Sequence, residues 1–130
     1  MGTRSRIGIY ENGAVKSIYC HWDGYIEHNG EILFKHYDTT DKVEELIMLG
    51  DLSCLDTSIG VKTDFNAPEP NQCIAYHRDR GEELNIRASD EESMKNWEEY
   101  NYLFKNGVWL VSCSLTNYEF EPLKLYVSEE

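Results

Sequence analysis

Positive charge is scarce in this chain: twelve Lys and Arg stand against twenty-four Asp and Glu, a formal charge of -12 over 130 residues. Sequence-independent binding to a phosphate backbone depends on clustered basic side chains that release counterions, so no direct nucleic-acid partner is expected. Long apolar runs are missing as well. Nothing approaches the roughly 20 residues needed to cross a bilayer, and the opening Met1-Gly2-Thr3-Arg4-Ser5-Arg6 lacks the apolar core of a secretion signal. N-myristoylation wants Ser or Thr where Arg6 stands. The expectation is a cytoplasmic protein with no membrane partner. Cysteine is sparse and irregularly spaced, at Cys20, Cys54, Cys73 and Cys113, which reads as reduced, buried thiols and not as a disulfide framework. A Gly-rich phosphate loop, a nucleophile elbow and paired metal-ligand knuckles are all absent, so neither cofactor nor metal is expected. Cys20, His21, Cys73 and His77 make a poor zinc set, because adjacent strand residues such as Cys20 and His21 point to opposite faces.

What remains is enough for one α+β domain over residues 1–130, able to bury about two thirds of its unfolded surface. Residues 4–10 alternate, with Ile7 and Ile9 on one side and Arg4, Arg6, Gly8 and Tyr10 on the other. Asn12-Gly13 then supplies a hairpin turn, because both residues tolerate positive φ. A second strand follows over residues 14–21. Helical spacing of Ile32, Leu33, His36 and Tyr37 predicts a short helix. A second helix is capped by Thr40 or Asp41, buries Val43, Leu46, Ile47 and Leu49, and stops at Gly50. Residues 51–71 read as a long connection. Residues 72–78 predict a strand, Asp79-Arg80-Gly81-Glu82 a turn, and residues 84–88 the returning strand. Ser89 or Asp90 caps a third short helix running to Trp97. Residues 100–104 and 108–114 form the clearest hairpin, around Asn106-Gly107, and Pro122 marks residues 118–127 as an edge strand. The fold expected is an antiparallel sheet of about five to seven strands with two or three short helices packed on one face.

Two segments concentrate chemistry. Tyr19-Cys20-His21-Trp22-Asp23-Gly24-Tyr25 brings a thiol, an imidazole, a carboxylate and aromatic rings to a strand-to-helix junction, where loops often carry function; packing under the first helix explains Trp22 and Tyr25 about equally well. In Tyr76-His77-Arg78-Asp79-Arg80, an extended chain projects Arg78 and Arg80 to one side, as it does Arg4 and Arg6. Four of the five arginines thus form two i,i+2 pairs. Guanidinium groups offer planar, bidentate donors, so a small positive recess within an acidic shell suits a phosphate or carboxylate ligand. For any one pair, salt bridges to neighbouring acids are the plainer explanation. The ligand-binding set expected is Arg4, Arg6, His21, Trp22, Asp23, Tyr25, His77, Arg78 and Arg80, with no catalytic residue. A minority alternative is a small nucleotide hydrolase using His21 or His77 as base, oriented by Asp23 or Asp79.

The opening Thr3-Arg4-Ser5 with Ile7-Gly8, the Tyr19–Tyr25 block, His36-Tyr37, Leu49-Gly50-Asp51-Leu52-Ser53, Arg78-Asp79-Arg80-Gly81-Glu82, Glu99-Tyr100-Asn101-Tyr102 and Gly107-Val108-Trp109 together resemble a family of small, mostly uncharacterised accessory proteins of tailed bacteriophages. The resemblance implies a phage protein acting in the host bacterial cytoplasm to evade immune defence. The function expected in that setting is non-catalytic: an anti-defence sponge that sequesters a small nucleotide-derived immune signal, with Trp22 or Tyr25 stacking on the base and a homo-oligomer building the pocket. The alternative is an acidic decoy in which Glu91, Glu92, Glu98, Glu99 and the C-terminal acids cover a host nucleic-acid-binding defence protein.

Overall fold

The computed structural model describes residues 3–127. Strand β1 (Ser5–Glu11) turns at Asn12 and Gly13, both at positive φ, into antiparallel β2 (Ala14–Cys20). A single π turn, Ile26–Gly30, leads into α1 (Glu31–His36), and α2 (Thr40–Ile47) follows. The cap of α2 is Thr39, one residue before the expected Thr40 or Asp41; its hydroxyl accepts the Lys42 N–H. Short strands β3 (Leu52–Cys54) and β4 (Ile74–Ala75) flank the long connection, and β4 runs directly into α3 (Tyr76–Arg80). Then come β5 (Arg87–Ser89), α4 (Glu91–Met94), the hairpin β6 (Tyr100–Lys105) and β7 (Val108–Cys113), and β8 (Glu121–Pro122).

One eight-stranded sheet runs in the order β4-β3-β2-β1-β6-β7-β8, with β5 on β2. It is mixed, which corrects the expected all-antiparallel sheet: β6 lies parallel to β1 and β3 parallel to β2. Both exceptions join segments far apart in sequence, beyond the reach of hairpin signals. Strand β1 therefore has a neighbour on each edge, and it is buried from Ser5 to Ile9.

The alternation along β1 decides what each face holds. Ile7, Ile9, Ile18, Tyr102 and Val111 face α1 and α2 and form the main core with Leu33, Val43, Leu46 and Ile47. On the opposite face Val15, Leu103 and Met94 of α4 make a smaller cluster. Gly8 lets α4 approach, since a Cβ there would stand 3.1 Å from the Met94 side chain. No described helix is long and apolar enough to cross a membrane.

Three further segments differ from expectation. Residues 72–78 are strand only at Ile74–Ala75, because Asp79 accepts the Ala75 N–H at 2.8 Å and caps a helical turn. The returning strand is β5, and it pairs with β2 rather than with β4. The third helix stops at Met94, short of Trp97, and residues 118–127 contribute strand only at Glu121–Pro122.

Candidate functional site

The face opposite α1 and α2 carries Arg6 of β1 and Ser17 and Tyr19 of β2. Arg6 stands directly across from Tyr19, and Gly8 from Ser17. Strand β5 adds Arg87 beside Ser17. The outer edge of β2 is divided: β5 pairs with residues 15–17 and β3 with Cys20. Asp51 fills the gap between them, one carboxylate oxygen accepting the Tyr19 N–H at 2.9 Å and the other the Asn85 side-chain amide at 2.8 Å. A backbone donor that would otherwise be exposed at a sheet edge is thereby satisfied.

Trp97 is brought over this face by a buried polar knot. Asn101 donates to the carbonyls of Lys95, Glu98 and Ser112 and accepts the Glu98 N–H, while the Ser112 hydroxyl donates to Lys95 at 2.6 Å. The chain after α4 is so held that Trp97 lies against two guanidinium groups, with Arg6 at 4.9 Å and Arg87 at 4.5 Å from its ring centroid. Both distances are in the cation–π range.

Arg6 is only 6% exposed. Its Nη1 donates to the Ser17 hydroxyl at 2.9 Å, but its buried Nε finds no acceptor among the described residues. Burial lowers its pKa, opposed by the charges of Asp51 and Glu98 and assisted by that of Arg87. Glu98 is half-buried, and burial raises its pKa against the pull of Arg6 and Arg4. Among the described residues, Arg4, Arg6 and Arg87 form no ion pair within 4.0 Å of a carboxylate.

A line of rings continues from Arg6. The Tyr19 hydroxyl lies 2.7 Å from His21 Nδ1, and the Trp22 ring meets His21 edge-on at a centroid distance of 4.7 Å. Trp22 is 40% exposed, so one aromatic surface faces solvent beyond the imidazole. The turn behind it is tightly fixed. Asp23 adopts φ +58, and a Cβ on Gly24 would sit 2.7 Å from the Thr3 carbonyl oxygen. The Tyr102 hydroxyl donates to Gly24 O at 2.6 Å.

Of the nine expected binding residues, the fold brings Arg4, Arg6, His21 and Trp22 into one strip. Asp23 and Tyr25 form their own pair, Tyr25 Oη to Asp23 Oδ1 at 3.3 Å. His77, Arg78 and Arg80 lie on α3, where residues two apart diverge around the helix and cannot share a side as a strand would allow. Arg78 is consumed structurally: it makes two bonds to Asp79 and one each to the carbonyls of Ile59 and Cys73, at 2.8 to 3.1 Å. Arg80 pairs with Glu82 and lies over the rings of Phe65 and Tyr76. His77 Nδ1 donates to Glu82 O at 2.7 Å. The orienting pairs expected for a hydrolase do not form, since His21 faces Tyr19 and Asp79 is bound to Arg78. The acids of the expected decoy face are partly compensated: Glu91 pairs with Lys105 and Glu92 with Lys95, Glu98 faces Arg6, and Glu99 accepts the Arg4 N–H. Glu129 and Glu130 lie outside the described residues.

Arg87 and Trp97 are missing from the set expected from sequence. The sequence reads Arg87 as part of a hairpin with residues 72–78 and Trp97 as the last apolar residue of a helix; the pairing of β5 with β2 places Arg87, and the bonds of Asn101 place Trp97. Three surface clefts, of about 260, 300 and 210 Å³, lie elsewhere, and none is lined by any of the nine residues. Compared with known proteins, the chain matches no family model, no curated protein and no solved structure.

Proposed function

We propose that this protein binds, without transforming, a small nucleotide-type anion along the strip from Arg6 to Trp22. In the phage setting that the resemblance implies, it acts as a sponge for a nucleotide-derived host immune signal. One observation carries the reading: three of five arginines stand together on one sheet face without a carboxylate ion-pair partner among the described residues, in a chain with twice as many acids as bases. Acids were available to neutralise them, and two other arginines, Arg78 and Arg80, are neutralised in that way.

The phosphate end of the ligand would meet Arg6 and Arg87, with Arg4 at the rim, through charge-assisted hydrogen bonds. The base end would lie on Trp22, where stacking contributes about 1 to 3 kcal/mol. His21, held by Tyr19, supplies a ring nitrogen between the two ends. Assembly of several copies, which would deepen an open strip into a pocket, belongs to the same proposal.

The test is to purify the protein from bacteria with active nucleotide signalling, denature it, and examine the released small molecules by mass spectrometry. An intact nucleotide recovered from the wild type and lost from an Arg6→Met, Arg87→Ala double variant supports the sponge. A chemically altered nucleotide points to the hydrolase instead. Empty protein, with no thermal shift across a panel of linear, cyclic and ADP-ribose-type nucleotides, refutes binding.

A further inference from the structure

The Arg6–Trp97–Arg87 arrangement has a charge requirement of its own. Two guanidinium groups share one indole, at 4.9 and 4.5 Å from its centroid, and the repulsion of Arg87 is felt at Arg6. Neither has a carboxylate within ion-pair distance among the described residues. Arg6 is more than nine-tenths buried with Nε unpartnered, and Arg87 is exposed at the strand edge. Of the nearby acids, Asp51 has both oxygens engaged by Tyr19 and Asn85, and Glu98 is itself held partly out of water.

Resting on the proposed binding role, we infer that the strip selects a ligand bearing a doubly charged phosphate group, a terminal phosphomonoester or a diphosphate, over a singly charged cyclic phosphodiester. One negative charge can meet one guanidinium well and leaves the other without a counter-charge. A phosphomonoester carries about 1.5 to 2 negative charges at neutral pH and three acceptor oxygens, enough to engage both groups. Trp22, 40% exposed, offers the solvent-facing ring, whereas Trp97 lies against the two guanidinium groups. That leaves base recognition to Trp22, so the phosphate alone should bind weakly.

Isothermal titration calorimetry on the full chain separates the possibilities, using adenosine 5′-monophosphate, adenosine 5′-diphosphate, the 3′,5′-cyclic monophosphate, inorganic phosphate and inorganic pyrophosphate. The expected result is affinity for the linear nucleotides about tenfold or more above that for the cyclic one, the increment of one further charge-assisted contact. In Arg87→Ala, whose thermal unfolding checks that the fold is kept, the linear-to-cyclic ratio should fall towards one. Equal binding of linear and cyclic nucleotides by the wild type overturns the charge selection while leaving nucleotide binding in place. Inorganic phosphate or pyrophosphate binding as tightly as the nucleotides overturns the assignment of the base to Trp22. No binding by any of the five overturns both the selection and the role on which it rests.

Discussion

Arg6 occupies a position where a cation is costly. Its guanidinium is withdrawn from water and makes a single side-chain hydrogen bond, and its nearest carboxylates act only through space. Replacing a poorly compensated buried charge by an apolar residue of similar length is often neutral or stabilising. Arg6→Met should therefore unfold within about 1 kcal/mol of the wild type in urea while losing nucleotide binding. A loss of several kcal/mol would mean that Arg6 serves the fold. Glu98 has the opposite sense. It is the anion closest in effect to the unpaired arginines after Asp51, so it competes with a ligand for them. Removing its charge in Glu98→Gln should tighten anion binding by roughly fivefold, on the order of 1 kcal/mol for a charge at several ångströms in a partly aqueous medium. Unchanged or weaker affinity by calorimetry would place the ligand elsewhere.

At the scale of elements, α3 shows why part of the sequence misleads. Residues 72–78 alternate well enough to predict a strand, yet Asp79, with its side chain fully buried, accepts the N–H groups of Ala75 and Thr63 and two bonds from Arg78. Those four bonds stabilise a helical turn that Gly81, at φ +77, brings to an end. Burial alone would raise the Asp79 pKa, but the donors outweigh it and hold the carboxylate below its usual value. The stability it contributes is complete above the ordinary carboxylate range and is lost as the pH falls through the lowered folded value. Asp79→Asn should accordingly cost about 3 kcal/mol at neutral pH, and its gap from the wild type should close as urea titrations move below about pH 4. A gap that stays constant across that range would rule out the carboxylate charge as the cause. The loop carrying Trp97 depends in the same way on Asn101. Asn101→Ala removes its bonds to three carbonyls and one N–H, of which the Lys95 carbonyl keeps the Ser112 hydroxyl, and should cost about 3 kcal/mol, with Trp97 more open to acrylamide quenching in a variant lacking the other two tryptophans. The turns at Asn12-Gly13 and Asn106-Gly107, the stripe of α2 and its Gly50 stop were legible because each is decided by a few adjacent residues. The parallel pairing of β1 with β6, the seat of β5 on β2, and hence the meeting of Arg6, Arg87 and Trp97 were not, because they depend on strand pairings 70 to 95 residues apart in the chain that leave no local pattern.

For the whole molecule, the decisive feature is a charge of -12 around a face where three arginines have no ion pair among the described residues. The two proposed kinds of partner respond to it in opposite ways. An anionic nucleotide is repelled at long range by the acidic shell and attracted at short range by Arg6 and Arg87. Raising the ionic strength from about 10 mM to about 150 mM shortens the screening length from roughly 30 Å to roughly 8 Å. That range is enough to suppress the repulsion from the rest of the surface while leaving contacts at hydrogen-bond distance, partly buried under Trp97, much less affected. The association rate of a nucleotide should therefore rise with salt over this interval, and its affinity should stay level or increase. A basic host protein captured by an acidic decoy is attracted by the same shell, so its association slows and its affinity falls steeply over the same interval. Stopped-flow measurement of tryptophan fluorescence with adenosine 5′-diphosphate at four salt concentrations gives the sign directly. A rate that falls steeply with salt would show that the acidic shell does not oppose the ligand, and the unpaired arginines would then no longer explain binding.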